Sequence, residues 1–227
     1  MDASELKIKI CGIGNLEDAL VAAEAGADYI GMVFVPERRR RITPQEGKVI
    51  VDGLKRPGGN TPRIVGLFAD QSVEEVSAII DYCGLNLVQL CGQERVKYAG
   101  ELACDVIKVV HVAESVTAAN DADTGARVQE FSGLGHLVTL DRLVEGIQGG
   151  TGQGFDWGVA ASLSRAGHPF LLAGGLTPYN VTEAITTVKP WGVDVSSGVE
   201  TDGNKDHVKI REFLDNARKA AAKLAQS

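Results

Sequence analysis

The chain has 227 residues and a formal net charge of −7, which argues against a nucleic-acid partner because a polyanion requires a compensating basic surface. Hydrophobic residues make up 44% of the sequence, yet no stretch reaches the roughly 18 uninterrupted apolar residues of a membrane span. An acidic start without an apolar leader predicts a cytoplasmic protein, and four cysteines without Cys-x-x-Cys spacing are expected to be reduced thiols.

Eight short runs rich in β-branched residues alternate with helical patterns along the chain. The runs are Lys7–Ile10, Tyr29–Phe34, Arg63–Phe68, Leu87–Leu90, Val106–Val110, His136–Leu140, Phe170–Ala173 and Gly192–Val195. Strands that alternate with helices imply right-handed crossovers and a parallel sheet. The α/β pattern with eight units favours a (β/α)8 TIM barrel over an open, doubly wound sheet. No linker or composition break divides the chain, so residues 1–227 are predicted to form a single domain.

Helices are predicted where a capping residue precedes amphipathic spacing. They begin after Asn15, at Thr43-Pro44, after Ser72 and at Thr177-Pro178, and the last spans about 205–224. The fifth helix, within 113–135, is hard to place because Ala, Asp and Gly dominate that segment. Cys83 and Cys104 lie in or beside helix patterns and are predicted to be packing residues.

Cys11 lies at the carboxyl end of the first strand, directly before Gly12 and Gly14 and the predicted helix cap Asn15. In parallel α/β proteins these strand ends open onto one face, where ligands and chemistry are found. The position makes Cys11 the best candidate for a reactive thiol, provided that a helix N-terminus or arginines depress its pKa. The alternative is a buried, inert core thiol, the commonest fate of a free cysteine.

Two loops near the end of the chain are rich in backbone donors. Residues 173–178 follow the seventh strand and contain Gly174-Gly175, and residues 194–199 follow the eighth and contain Ser196-Ser197-Gly198. Barrels of this kind often bind phosphate with these two loops and a short extra helix. Either motif alone is equally consistent with a tight turn, but their occurrence after adjacent strands predicts a phosphate site.

Asp141 and an arginine cluster are further candidates on the same face. Asp141 follows the sixth strand, where partial burial would raise its pKa and allow it to act as a general acid. The alternative is a solvated aspartate paired with Arg142. The run 38–41 is four consecutive arginines, of which at least one is expected to project over the barrel mouth and bind a carboxylate or phosphate, and two or three to be solvated.

The segment Gly146–Gly154 is too rich in glycine for a helix or strand and is predicted to be a mobile loop that closes over a ligand. No Gly-Lys-Ser/Thr follows, so it is not a Walker loop. The four histidines show no metal-ligand spacing and are predicted to be structural residues or surface residues. They are His111, His136, His168 and His207.

Together these residues resemble the phosphoribosylanthranilate isomerases of tryptophan biosynthesis. The resemblance runs from Lys7 to about Lys219, and some details, including Val35-Pro36, look closer to fungal members. The shared motifs are Lys9–Ile13, Val35-Pro36 to Arg40, Val88-Gln89-Leu90, Gly149–Gly152 with Phe155-Asp156-Trp157, Ala173–Leu176 and Asp194–Glu200.

The resemblance implies an Amadori rearrangement of N-(5′-phosphoribosyl)anthranilate to 1-(2-carboxyphenylamino)-1-deoxyribulose 5-phosphate, without metal or organic cofactor. By the same resemblance Asp141 is the general acid, Cys11 is the general base and Arg40 binds the anthranilate carboxylate. Substrate-binding roles are also predicted for Gln89 and Asp194. Gly174, Gly175, Ser196, Ser197 and Gly198 are predicted to bind the phosphate. The partner that the resemblance implies is this small phosphorylated substrate. The oligomeric state, monomer or homodimer, is open, and so is association with other tryptophan-pathway enzymes.

One departure concerns the fourth strand, where the family usually has Gln-Leu-His-Gly and this chain has Cys91 in place of the histidine. If that imidazole only packs against or orients the ligand, cysteine substitutes at modest cost. If it contributes a hydrogen bond, its loss would weaken substrate binding by roughly 1–3 kcal/mol. Activity is predicted in either case. Two alternatives stay open. A related phosphosugar isomerase would commonly have aspartate in place of Cys11, and a non-catalytic phosphate-binding barrel would not need Cys11, Asp141 and Arg40 together.

Overall fold

The computed structural model describes residues 6–55, 61–113, 116–117, 123–143 and 157–226. Within them, eight parallel strands close into a barrel in chain order, because β1 pairs with both β2 and β8. The strands are β1 Lys7–Cys11, β2 Tyr29–Val33, β3 Arg63–Phe68, β4 Leu87–Leu90, β5 Asp105–Ala113, β6 Leu137–Leu143, β7 Leu171–Leu172 and β8 Gly192–Val195. The fold is therefore the predicted (β/α)8 barrel.

A helix follows each strand, and several begin at the polar residues that the sequence indicated. The helices are α1 Leu16–Glu24, α2 Pro44–Leu54, α3 Val73–Cys83, α4 Val96–Gly100, α5 Thr124–Ser132, α6 Trp157–Arg165, α7 Val181–Val188 and α8 His207–Ala225. Asn15 caps α1 by accepting a hydrogen bond from the backbone of Asp18 at 2.8 Å. Thr43 and Glu46 form a reciprocal capping box at the start of α2. A 3₁₀ turn, Ser197–Val199, and a two-stranded ribbon, β9 Glu200–Thr201 with β10 Asn204–Lys205, lie between β8 and α8.

Several element ends are shifted by one or two residues from the prediction, and three elements differ by more. β6 continues to Leu143, so that Asp141 lies within the strand rather than after it, and the longer β5 pairs with it as far as Ala113. α7 begins at Val181 rather than Thr177-Pro178. The reason is local: the side chain of Asn180 accepts from the Thr177 backbone at 2.7 Å and donates to the Gly175 carbonyl at 3.0 Å, which closes a turn before the helix. The glycine-rich segment 146–154 lies outside the described residues.

Side-chain alternation along the strands separates two apolar layers. Ile8 and Ile10 are fully buried in the larger layer, between the strands and the helices. Cys11 belongs to a smaller apolar cluster inside the barrel, and Lys9 shares that inward face because side chains alternate along a strand. The same alternation on every strand presents the last inward residues to the carboxyl-terminal mouth, where polar side chains collect. In the described part of the chain, no helix combines the length and apolar character needed to cross a membrane.

Candidate active site

A cavity of about 400 Å³ opens at the carboxyl ends of the strands. All ten residues predicted from the sequence to take part in catalysis or binding line it. They are Cys11, Arg40, Gln89, Asp141, Gly174, Gly175, Asp194, Ser196, Ser197 and Gly198. Most of them lie on a continuous arc of neighbouring strands or strand ends, from β6 through β7, β8 and β1 to β2. The opposite wall is formed by β4 and β5.

Cys11 is buried beside an ion pair inside the barrel. The Lys9 ammonium is fully buried and lies 2.8 Å from a carboxylate oxygen of Asp194. Gly31 leaves room for this group, because a Cβ there would stand 2.9 Å from the Cys11 sulfur and 3.2 Å from Lys9 Nζ. Burial raises the pKa of the Cys11 thiol, while the positive charge of Lys9 acts in the opposite direction. The thiolate of Cys11 is thus disfavoured by desolvation and by the charge of Asp194, and supported by Lys9 and, more weakly, by Lys205. The depressed pKa that the sequence-based prediction required is therefore not found.

The electrostatics of Lys9 itself are consistent with a permanent charge. Burial disfavours its ammonium, but the negative charges of Asp194 and of the Cys11 thiolate outweigh this effect and raise the pKa of Lys9 above its ordinary value. The second oxygen of Asp194, Oδ1, is buried and has no hydrogen-bond partner in the described residues. Such an atom can accept a hydrogen bond from a bound ligand.

Asp141 is half-buried on β6 rather than solvated in a loop. Its Oδ1 accepts a hydrogen bond from the backbone N–H of Arg142 at 2.8 Å. Burial, reinforced by the nearby negative charge of Asp194, raises the pKa of Asp141 to about 6. A carboxyl group with this pKa is partly protonated near neutral pH and can serve as a proton donor.

The loops after β7 and β8 meet at the mouth of the barrel. Gly174 and Gly175 have φ values of 85° and 73°, which glycine adopts without strain. A Cβ at Gly198 would overlap the carbonyl group of Leu176, so the two loops approach each other at backbone distance. In the described structure the N–H groups of Gly174, Gly175, Ser197 and Gly198 donate to no protein acceptor. These unpaired donors are suited to an anion.

Arg40 reaches the cavity across the β1–α1 turn. Its side chain lies over Gly12, where a Cβ would stand 2.5 Å from Arg40 Cδ and 3.0 Å from Ser196 Oγ. Its Nε and Nη2 atoms donate to the two carboxylate oxygens of Glu200 at 2.6 and 3.0 Å. Arg39 also contacts Glu200, at 2.5 Å, but its side chain is 53% exposed. One arginine of the run therefore projects well into the cavity, and its neighbour lies at the rim.

The wall formed by β4 and β5 contains Gln89, Cys91 and His111. Gln89 Nε2 donates to the Cys91 sulfur at 3.6 Å, and its Oε1 is buried without a partner in the described residues. Burial raises the pKa of Cys91 to about 12, so this thiol is neutral. His111 Nε2 lies 3.3 Å from the Cys91 carbonyl oxygen, and burial lowers the pKa of this imidazole.

The location of His111 differs from the prediction that all four histidines are structural or superficial. It lies in the cavity wall and pairs in register with Asp141 on the neighbouring strand. In the sequence this residue directly follows the predicted fifth strand, Val106–Val110. In the structure β5 continues to Ala113, and this extension turns the imidazole of His111 towards the cavity. Glu200, Lys9 and Lys205 were likewise not singled out by the sequence, since each matters through a partner distant in the chain.

Among the residues that the structure describes, no group of three or more His, Cys, Asp or Glu side chains is arranged to bind a metal ion. Cys83 is fully buried in the layer between strands and helices, and Cys104 is half-buried against it, as expected of packing residues.

Comparison with known proteins gives consistent matches over nearly the whole chain. A family model described as "N-(5'phosphoribosyl)anthranilate (PRA) isomerase" matches residues 8–216. An N-(5'-phosphoribosyl)anthranilate isomerase of Roseiflexus sp. is 44% identical, with 95% of this chain and 99% of the relative aligned. One of Dehalococcoides mccartyi is 41% identical, with 95% and 97% aligned. A multifunctional tryptophan biosynthesis protein of Phycomyces blakesleeanus is 37% identical over 94% of this chain, which corresponds to 33% of that protein.

Solved structures agree with the sequence matches. The crystal structure of phosphoribosyl anthranilate isomerase from Thermotoga maritima superposes with a TM-score of 0.81 at 35% identity, covering 94% of this chain and 99% of that one. A phosphoribosyl anthranilate isomerase in complex with reduced 1-(o-carboxyphenylamino)-1-deoxyribulose 5-phosphate superposes with a TM-score of 0.77 at 34% identity, with the same coverage.

Proposed function

Because this chain belongs to the N-(5′-phosphoribosyl)anthranilate isomerase family, we propose that Asp141 and Cys11 carry its reaction as general acid and general base. The protein is an isomerase of tryptophan biosynthesis that converts N-(5′-phosphoribosyl)anthranilate to 1-(2-carboxyphenylamino)-1-deoxyribulose 5-phosphate. The observation that carries the residue assignment is the convergence of a thiol next to an ammonium, a half-buried carboxyl group and two donor-rich loops on one cavity.

The first step assigned to the chain is opening of the furanose ring. Asp141 in its protonated form donates its proton to the ring oxygen, while the C1′–O bond breaks and the anthranilate nitrogen forms a protonated imine. The raised pKa of Asp141, about 6, supports this role because it keeps part of the carboxyl population protonated near neutral pH.

The second step is removal of the C2′ proton. Cys11 as a thiolate accepts this proton, and the electron pair of the C–H bond moves towards the iminium nitrogen to give an enolamine. Tautomerisation of the enolamine then yields the ketone. The protonated imine is the electron sink, so the proposed step needs no organic cofactor. Lys9 supports the thiolate, because its buried positive charge lies on the same face of β1.

Two anionic groups of the substrate would be bound on either side of Cys11. The loops with Gly174, Gly175 and residues 196–198 offer unpaired N–H groups to the phosphate. Arg40, beyond β1 on the other side, would bind the anthranilate carboxylate. Gln89 and Asp194 each carry a buried oxygen without a partner in the described residues, which suits them to hydroxyl or amine groups of the substrate.

The cellular setting follows from the same family. We propose that residues 1–227 form one isomerase domain in the cytoplasm, in agreement with four cysteines that are all free thiols. Association with other tryptophan-pathway enzymes is also proposed, because a homologous segment forms part of the multifunctional Phycomyces protein.

The test follows the fluorescence of phosphoribosylanthranilate, generated in situ and added to the purified protein. The wild-type protein should cause its decay, and Cys11→Ala and Asp141→Asn should each lower kcat by about 10²- to 10⁴-fold, the usual effect of losing a general acid or base. Cys104→Ser is the matched control, because it removes a thiol outside the cavity and should leave the rate unchanged. Turnover that survives either active-site substitution would refute the role assigned to that residue.

A further inference from the structure

Glu200 lies at the centre of a cluster of cations that joins two loops of the active site. Its carboxylate, 7% exposed, contacts Arg40 at 2.6 Å and Lys205 at 3.0 Å. Lys205 in turn donates to the carbonyl oxygen of Ser196 at 2.8 Å. Ser196 begins the loop after β8 that is proposed to bind phosphate, and Arg40 belongs to the loop after β2. One carboxylate therefore connects the two predicted anion-binding loops, which are about 160 residues apart in the chain.

The guanidinium of Arg40 is bound by Glu200 along one edge only. A guanidinium can bind a carboxylate along its Nε/Nη2 edge or along its Nη1/Nη2 edge. Glu200 takes the first edge with two hydrogen bonds, of 2.6 and 3.0 Å. No acceptor in the described structure binds Arg40 Nη1, and Arg40 lines the cavity. The second edge is thus left for a ligand.

We propose that Glu200 is a positioning residue that fixes Arg40 so that its open edge selects a substrate with a carboxylate on the aryl group. The inference rests on the proposed function, in which Arg40 binds that carboxylate. Because Glu200 also fixes the loop after β8 through Lys205, it sets the separation between the carboxylate anchor and the phosphate loop. A ligand that carries both anions at the matching separation gains both contacts without reorganising either loop.

The charges of the cluster fit this role. Burial alone would favour a neutral Glu200, but hydrogen bonds from Arg40 and Arg39 and the charge of Lys205 lower the pKa of Glu200 to about 2. The carboxylate is therefore ionised throughout the physiological range. Two of the cations that contact this carboxylate, Arg40 and Lys205, are largely shielded from solvent, so the inner part of the cluster retains positive charge for an anionic ligand without Arg39.

The experiment compares two ligands that differ only in the carboxylate. The first is reduced 1-(2-carboxyphenylamino)-1-deoxyribulose 5-phosphate, and the second is the same reduced compound with phenyl in place of carboxyphenyl. Calorimetry gives the ratio of their Kd values for wild type, Glu200→Gln and Glu200→Asp. We expect both variants to lower the preference for the carboxylate ligand by about tenfold, the scale of one charge-assisted hydrogen bond. KM should rise while kcat changes little, because the interaction is made equally in the ground state.

Two controls separate positioning from a structural role. Arg39→Ala removes another Glu200 partner, exposed at the rim, and should leave the preference unchanged. In an Arg40→Ala background, Glu200→Gln should have no further effect on the preference. If Glu200→Gln and Glu200→Asp weaken both ligands equally or neither, the inference is wrong, whatever the turnover. A wild-type protein that does not convert phosphoribosylanthranilate would instead overturn the proposed function.

Discussion

Lys9 and Cys11 face the inside of the barrel two residues apart, and the chemistry proposed for the thiol depends on this neighbour. An unpaired buried ammonium would be strongly unfavourable, but Asp194 compensates the charge at 2.8 Å. The arrangement gives the cavity a fixed cation that favours thiolate over thiol. Asp141, whose pKa is raised to about 6 by burial and by Asp194, gives the cavity a carboxyl group whose protonated form is favoured. The proposed mechanism needs Asp141 protonated and Cys11 ionised.

These pKa shifts predict the pH dependence of kcat/KM. Below pH 6 Asp141 is protonated and the rate rises with the thiolate fraction of Cys11. Between the pKa of Asp141, about 6, and the raised pKa of Cys11, gain of thiolate and loss of protonated Asp141 cancel, so the rate is level. Lys9→Met removes a cation that lowers the pKa values of both Cys11 and Asp141. The acid limb and the alkaline limb of the kcat/KM profile should therefore both move to higher pH. Each unit of increase in the thiol pKa reduces the thiolate near pH 7 about tenfold.

The measurement is the pH profile of kcat/KM together with the pH dependence of Cys11 alkylation by iodoacetamide. Lys108→Met is the matched control, because Lys108 is also a buried lysine in an ion pair, with Glu94 at 2.8 Å, but its ammonium binds carbonyls at the end of β4. Lys108→Met should lower the stability of the protein and leave the acid and alkaline limbs of the kcat/KM profile unchanged. An alkaline limb and an alkylation midpoint that do not move in Lys9→Met would show that Lys9 does not support the thiolate.

At the scale of elements, the sequence predicted the positions of all eight strands, because each is a short run rich in β-branched or other apolar residues that alternates with a helical pattern. It misplaced the end of β6, since Asp141 and Arg142 are polar and only their pairing with β5 extends the strand. The start of α7 was misplaced because the Asn180 side chain closes a turn that no local pattern distinguishes from a helix start. Long-range contacts such as Arg40 with Glu200 could not be predicted, because nothing near either residue specifies the partner.

The close approach of the two loops that are proposed to bind phosphate is predicted to require glycine at position 198. A side chain there would overlap the carbonyl of Leu176, and backbone cannot rotate away as a side chain can. Gly198→Ala should therefore separate the loops and weaken competitive inhibition by inorganic phosphate by about tenfold or more, the effect of losing one or two charge-assisted hydrogen bonds. KM should rise in parallel.

Gly84→Ala provides the control for this prediction. Gly84 ends α3 with a φ of 73°, and a Cβ there meets nothing within 4 Å. The substitution should cost about 1 kcal/mol of stability through backbone strain alone and leave phosphate inhibition unchanged. Equal inhibition of wild type and Gly198→Ala by phosphate would place the phosphate elsewhere.

At the scale of the whole molecule, the candidate active site and the contacts that join the two ends of the chain lie at opposite ends of the barrel. The cavity lies at the carboxyl ends of the strands, whereas contacts that join the two ends of the chain lie at the opposite end. Arg218 on α8 donates to the carbonyls of Leu6 and Gly26 and, at 2.7 Å, to Asp28. Asp28 also accepts from the Ile8 backbone at 2.8 Å. The last helix is therefore bonded to the residue before the first strand and to the turn before β2, whose Asp28 contacts β1, and these contacts support the pairing of β1 with β8.

Arg218→Ala is expected to lower stability without changing catalysis. It leaves the buried Leu6 carbonyl and the Gly26 carbonyl without their donor, which should cost about 1–3 kcal/mol, and each kcal/mol corresponds to about 2–4 °C in Tm for a domain of this size. Because the contact lies at the end of the barrel away from the cavity, kcat and KM at 25 °C should match wild type. Lys219→Ala, on the same helix, removes an exposed pair with Asp215 and should change Tm by less than half as much. A loss of kcat as large in Arg218→Ala as in Asp141→Asn would show instead that the geometry of the mouth depends on closure at the far end, and that stability and chemistry are not separable in this barrel.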